Sequence, residues 1–139
     1  MTETISKPSI PLASTTAGSR RLLLVQRGED VAVPLVRALE REGWVTVWLE
    51  RAADALEHVD RFRVDMVVVG SRVLGADGAE LCREVRRREY DGGLVLVGDR
   101  PPESAAGVDD HLCEPYALAE LQARLRAVQT ARAEVPAPR

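Results

Sequence analysis

At 139 residues, 45% apolar and 29% charged, the chain suits one globular domain built around a single core. A formal net charge of −3 and a pI near 5.5 exclude a broad basic surface for direct nucleic-acid binding. No apolar run approaches a membrane span, and the first residues lack the charged-then-apolar order of a signal peptide, so a cytoplasmic domain is expected.

Met1–Ser19 is rich in Ser, Thr and Pro with no apolar period, and is expected to be a disordered tail, either native or a leader. Leu22–Val25 reads as a short strand. The polar loop Gln26–Asp30 follows, with Asp30 a candidate N-cap. Val31–Glu42 is helical: Val31, Leu35, Val36 and Leu39 share a face, Pro34 falls in the first turn, and Gly43 suits the residue past the end. Trp44–Leu49 alternates as a second strand, with Val45, Val47 and Leu49 opposite Trp44, Thr46 and Trp48. Ala52–Val59 is a short helix.

Val64–Val69 is nearly all apolar and β-branched, as a strand buried on both faces at the centre of a parallel sheet must be. It stops at Gly70. Turn residues Leu74–Gly78 open a helix over Ala79–Arg88, with Leu81, Cys82 and Val85 inward and Arg83, Arg86, Arg87 and Arg88 on a solvated face. Leu94–Val97 is a fourth buried strand. The prolines and glycines of Gly98–Asp110 leave room for a turn or two of helix at most. His111–Cys113 is a brief fifth strand, and a last helix over Ala117–Ala131 carries the stripe Leu118, Leu121, Leu125 and Val128. The domain is expected over residues 20–131, with a linker or tail at 132–139.

Five strand–helix alternations imply a parallel sheet covered on both faces, for which the flavodoxin-like order 2-1-3-4-5 is the commonest arrangement. Ligands in such sheets sit beyond the carboxyl ends of the central strands. There this chain has Gly70, which has no side chain for chemistry. Cys82 and Cys113 read as buried thiols suited to a reducing compartment, and alternation puts His111 and Cys113 on one face without a third partner. His58 and His111 stand too far apart in sequence to suggest a metal centre. A Ser/His/Asp set and a Walker loop are absent, and Gln26–Asp30 offers no hydroxyl for a flavin phosphate, so neither enzymatic activity nor a cofactor is expected.

From Arg21 to about Gln129 the chain resembles the receiver domain of bacterial two-component response regulators. The resemblance rests on LLLVQRGED, VDMVVVGSRVLGADGAELCREVR and DDHLCEPYALAELQARLRAV, above all on the strand–turn–Asp-Gly–helix pattern of Val64–Leu81 and on Glu114-Pro115-Tyr116. It implies an α/β, CheY-like fold and a cis peptide at Glu114-Pro115. It also implies a site whose residues all differ here. The phosphoacceptor aspartate corresponds to Gly70, the two Mg²⁺-holding acids to Gln26 and Arg27, the phosphoryl-binding Thr or Ser to Gly98, the lysine to Glu114 and the rotating aromatic to His111. The segment before His111 is roughly six or seven residues shorter than the family usually has, about two helical turns, so the fourth helix should be shortened or absent. That shortening either alters the family's usual dimer surface, which uses the fourth helix with the fifth strand and fifth helix, or is a tolerated loop deletion.

The chemistry follows from the residues. Phosphoryl transfer to a carboxylate needs a nucleophile, and Gly70 offers none. Mg²⁺ needs oxygen ligands, whereas Arg27 brings a positive charge. Glu114 repels a developing phosphoryl charge. Arg27 and Glu114 either form a charge-swapped ion pair across the pocket, with Gly70 leaving room for the guanidinium, or both point to solvent. The leading expectation is a degenerate, phosphorylation-independent receiver domain that acts as a regulatory and dimerisation module of a transcription regulator. It would pair through the fifth strand and fifth helix in modified form and be fused to a DNA-binding output domain. The alternative is a receiver-like domain that senses a metabolite in the strand-end pocket, near Trp44 or Trp48.

Overall fold

The apolar runs fold as five parallel strands: β1 (Arg20–Val25), β2 (Trp44–Leu49), β3 (Met66–Val69), β4 (Gly93–Gly98) and β5 (Asp110–Cys113). They pair in the order β2-β1-β3-β4-β5, as expected for a flavodoxin-like sheet. The computed structural model describes residues 20–98 and 107–134. Four helices lie within these residues: α1 (Glu29–Arg41), α2 (Ala52–Arg61), α3 (Gly78–Arg87) and α4 (Leu118–Glu134). The expected tail at 1–19, the last residues 135–139 and the expected short fourth helix, which falls on residues 99–106, lie outside the described residues.

Strand alternation sorts the core into two layers. Leu22, Leu24, Met66, Val68, Val95 and Val97 face one side, where Leu39 of α1 and Leu121 and Leu125 of α4 close over them. Leu23, Val25, Val67, Val69, Leu94 and Leu96 face the other, against Ala55 of α2 and Leu81, Cys82 and Val85 of α3. All four residues of β3 are buried, which is why that strand reads as a continuous apolar run. Each such side chain contributes about 1.5–3 kcal/mol through the water it sheds.

Several local expectations are corrected. α1 starts at Glu29, with Gly28 rather than Asp30 as its N-cap; the Gly28 N–H donates to Glu50 Oε2 at 2.8 Å. Asp30 sits in the first turn, where its charge complements the positive end of the helix dipole instead of capping a donor. The earlier start moves Pro34 into the second turn and turns Val31 outward, 41% exposed. Gly43 does end the helix: its φ is 100°, and its N–H reaches Glu40 O at 3.0 Å. Leu118 is 37% exposed at the start of α4 and is not part of the buried stripe. α4 runs to Glu134, beyond the expected Ala131.

Arg86 departs from the solvated face assigned to the α3 arginines. Its guanidinium donates to the carbonyls of Tyr90 and Gly92 at 2.9 Å each and of Gly107 at 2.9 Å, and pairs with Asp109 at 3.1 Å. Asp109 also accepts from Arg132 of α4 at 2.9 Å and from the Leu94 N–H at 2.9 Å. One arginine and one aspartate therefore join α3, the turn into β4, the approach to β5 and the end of α4. In α3 itself, Asp77 caps the first turn by accepting from the Glu80 N–H at 3.3 Å.

Candidate functional site

The carboxyl ends of β1, β3, β4 and β5 converge where the sheet order reverses between β1 and β3. Gln26 prolongs β1. Its N–H donates to Leu49 O at 3.0 Å, and its carbonyl accepts from the Trp48 indole N–H at 2.7 Å. With the backbone held on the β2 side, the side chain folds across β3 and is 2% exposed. Its Nε2 donates to Arg27 O at 2.8 Å.

Gly70, whose N–H donates to Val25 O at 2.8 Å, lies beneath that carboxamide. A Cβ on Gly70 would come within 2.8 Å of Gln26 Cδ and 3.2 Å of Gln26 Cβ, and nearer still to Oε1. The space a side chain at position 70 would take is filled by Gln26. Gly70 thus both lacks a nucleophile and makes way for its neighbour.

Arg27 leaves the sheet, its N–H donating to Arg72 O at 2.7 Å. Its side chain is exposed and, with Gln26, Gly28, Asp30, Val31, Ser71, Arg72 and Glu114, lines a cleft of about 540 Å³. The charge-swapped pair does not form. Arg27 and Glu114 border the same cleft, but no ion pair joins them among the described residues, and the room above Gly70 holds an amide and not a guanidinium. Long exposed side chains gain little from pairing across open water. The Glu114 N–H donates to Gly98 O at 2.9 Å, so Gly98 offers this end of the sheet a carbonyl and no hydroxyl. The Glu114-Pro115 peptide is cis, as the resemblance implied.

Of the two tryptophans proposed near the pocket, only Trp48 is there. Trp44 lies at the other end of β2, under the Arg20 guanidinium 4.6 Å from its ring.

No family model matches the chain. It is 36% identical over 124 residues to the transcriptional regulatory protein TcrA of Mycobacterium tuberculosis, covering 85% of this chain and 49% of that protein. It is 34% identical over 114 residues to the response regulator MprA of Mycobacterium leprae, covering 78% and 50%. Among solved structures it superposes on the receiver domain of the sensor histidine kinase PA1611 from Pseudomonas aeruginosa with a TM-score of 0.73. That match has 22% identity and covers 81% of this chain and 98% of the other. It is a response-regulator receiver domain. The chain spans about half the length of the curated relatives it matches.

The Pseudomonas structure is described with a magnesium ion in its active-site cleft. The residues of this receiver domain do not fit one. At the two positions implied to hold the ion stand a carboxamide engaged with Arg27 O and an arginine, and Arg72 adds a second guanidinium to the same cleft. Among the described residues no three His, Cys, Asp or Glu side chains are grouped to share a metal.

His111, at the position of the rotating aromatic, is half-buried. Its Nδ1 lies 3.8 Å from Cys113 Sγ, and its Nε2 is buried without a hydrogen-bond partner among the described residues. Strand alternation placed these two residues on one face correctly, but Cys113 is exposed and not a core thiol. Cys82 is the buried one, its thiol pushed up to about 12 by burial. Burial, and then the Glu114 carboxylate, also push the Tyr116 phenol up.

Proposed function

We propose that this receiver domain works without phosphorylation, as a regulatory and dimerisation module of a transcriptional response regulator. The observation that carries the reading is the Gln26 carboxamide seated over Gly70: nucleophile, metal ligand and the space for both are replaced together. The regulator part draws on the names of the curated relatives and on their doubled length, which leaves room for a DNA-binding output domain. In this reading the domain catalyses nothing, touches no nucleic acid itself and acts in the cytoplasm. No described helix is long and apolar enough to cross a membrane.

The pairing surface we assign is the side of β5 and α4, where Leu118 is exposed and Arg124 bridges Asp110 at 2.8 Å. Incubation with acetyl phosphate and Mg²⁺, followed by intact-mass measurement, should leave the mass unchanged. Addition of one phosphoryl group would overturn the reading. Sedimentation should show self-association that depends on protein concentration and ignores Mg²⁺ and beryllofluoride. A second reading, sensing of a metabolite, is favoured by the cleft beside Gln26.

A further inference from the structure

The cleft beyond β1 and β3 contains both signs of charge. Arg27 and Arg72 are tied together through their backbones at 2.7 Å, so two guanidinium groups share one rim. Neither is paired with a carboxylate among the described residues. Asp30 and Glu114 line the same cleft, so among the described residues its four charged side chains cancel. Between them sits Gln26, 2% exposed, whose Nε2 is used by Arg27 O and whose Oε1 lies over Gly70. Ser71 adds a hydroxyl and Val31 an apolar wall.

We propose that this cleft binds a small amphoteric molecule, its carboxylate or phosphate held by Arg27 and Arg72 and its amine by Asp30 and Glu114. Like charges on one rim repel until an anion lies between them, and guanidinium forks match both carboxylate and phosphate. A cleft of about 540 Å³ is the size that encloses a metabolite. The balanced charge selects against a bare anion, which the two carboxylates would oppose. This inference rests on the phosphorylation-independent reading, because a cleft used for phosphoryl transfer would require Mg²⁺ and an open position 70.

Trp48 is a built-in reporter, its indole N–H bonded to the carbonyl of Gln26. The whole chain is titrated at constant ionic strength, by calorimetry and tryptophan emission, with three probes in EDTA: O-phosphoethanolamine, inorganic phosphate and ethylamine. O-phosphoethanolamine should saturate, and bind at least about tenfold more tightly than either fragment. Arg27→Ala and Arg72→Ala should each weaken it by about tenfold or more, while unfolding at the wild-type temperature because both side chains are exposed. Equal binding of phosphate and O-phosphoethanolamine would overturn the amphoteric assignment. Binding indifferent to both arginine variants, or no saturable binding of any probe, would overturn the site, leaving the phosphorylation-independent reading intact. Repeating the titration with Mg²⁺ and beryllofluoride separates the two: a Mg²⁺-dependent response would overturn that reading, and this inference with it.

Discussion

Position 70 and position 26 must be considered together. A methyl group on Gly70 meets the Gln26 side chain, so Gly70→Ala should destabilise by about 1–3 kcal/mol, as overpacking does. Gln26→Ala in the same chain should recover most of that loss, and a double-mutant cycle in urea measures the coupling. Additive effects would mean that the two side chains do not share the space. The sequence made Gly70 conspicuous, since a buried β-branched run ending in glycine puts no functional group at the customary place for chemistry. The return of Gln26 over it was not legible. The direction of a side chain at the first residue past a strand is set by tertiary bonds, here from Leu49 and Trp48, and not by any period. Cys113 was misjudged for a related reason. Alternation in a four-residue edge strand says which residues share a face, but not whether that face is covered. The two thiols should therefore behave differently. At pH 8 a disulfide reagent should modify one thiol of the native protein, Cys113, and reach Cys82 only on unfolding. Because folding raises the Cys82 pKa to about 12 from an unfolded value near 9, the folded state holds its proton longer. Stability from this group is intact below pH 9 and falls as pH rises toward 12, which thermal melts across that range check.

Among the elements, the strands and their order were the most readable part, because two-faced burial leaves runs such as MVVV and LVLV that no amphipathic helix would carry. The start of α1 was read less well: it opens two residues early because a glycine and a distant glutamate serve where a local aspartate was expected. The inward turn of Arg86 was hidden altogether, since its acceptors are backbone carbonyls that only the fold brings together. Arg86, Asp109 and Arg132 tie the far end of α4 to the rest. Asp109→Ala removes the shared acceptor and leaves the Leu94 N–H without its side-chain partner, so about 1–3 kcal/mol of stability should go. Faster hydrogen exchange should appear at the end of α4 and leave β1 and β3 unaffected. Uniform loss of protection would mean that the three residues do not form a local fastening.

For the whole molecule, the two core layers are separate from the exposed side chains of the cleft, so the scaffold folds while Arg27, Arg72 and Glu114 are free to change. That independence explains why fold and site had different fates: the same sheet superposes on a structure described with magnesium, while the cleft itself presents arginines. It also separates the tests, since variants at Arg27, Arg72 or Glu114 should leave melting temperatures within a degree or two of wild type, the small effect usual for exposed positions. The seat of Gln26 over Gly70 has a further corollary. An aspartate introduced at position 70 meets the Gln26 carboxamide and is accommodated only as that side chain swings out into the cleft, so the two positions trade places as a pair.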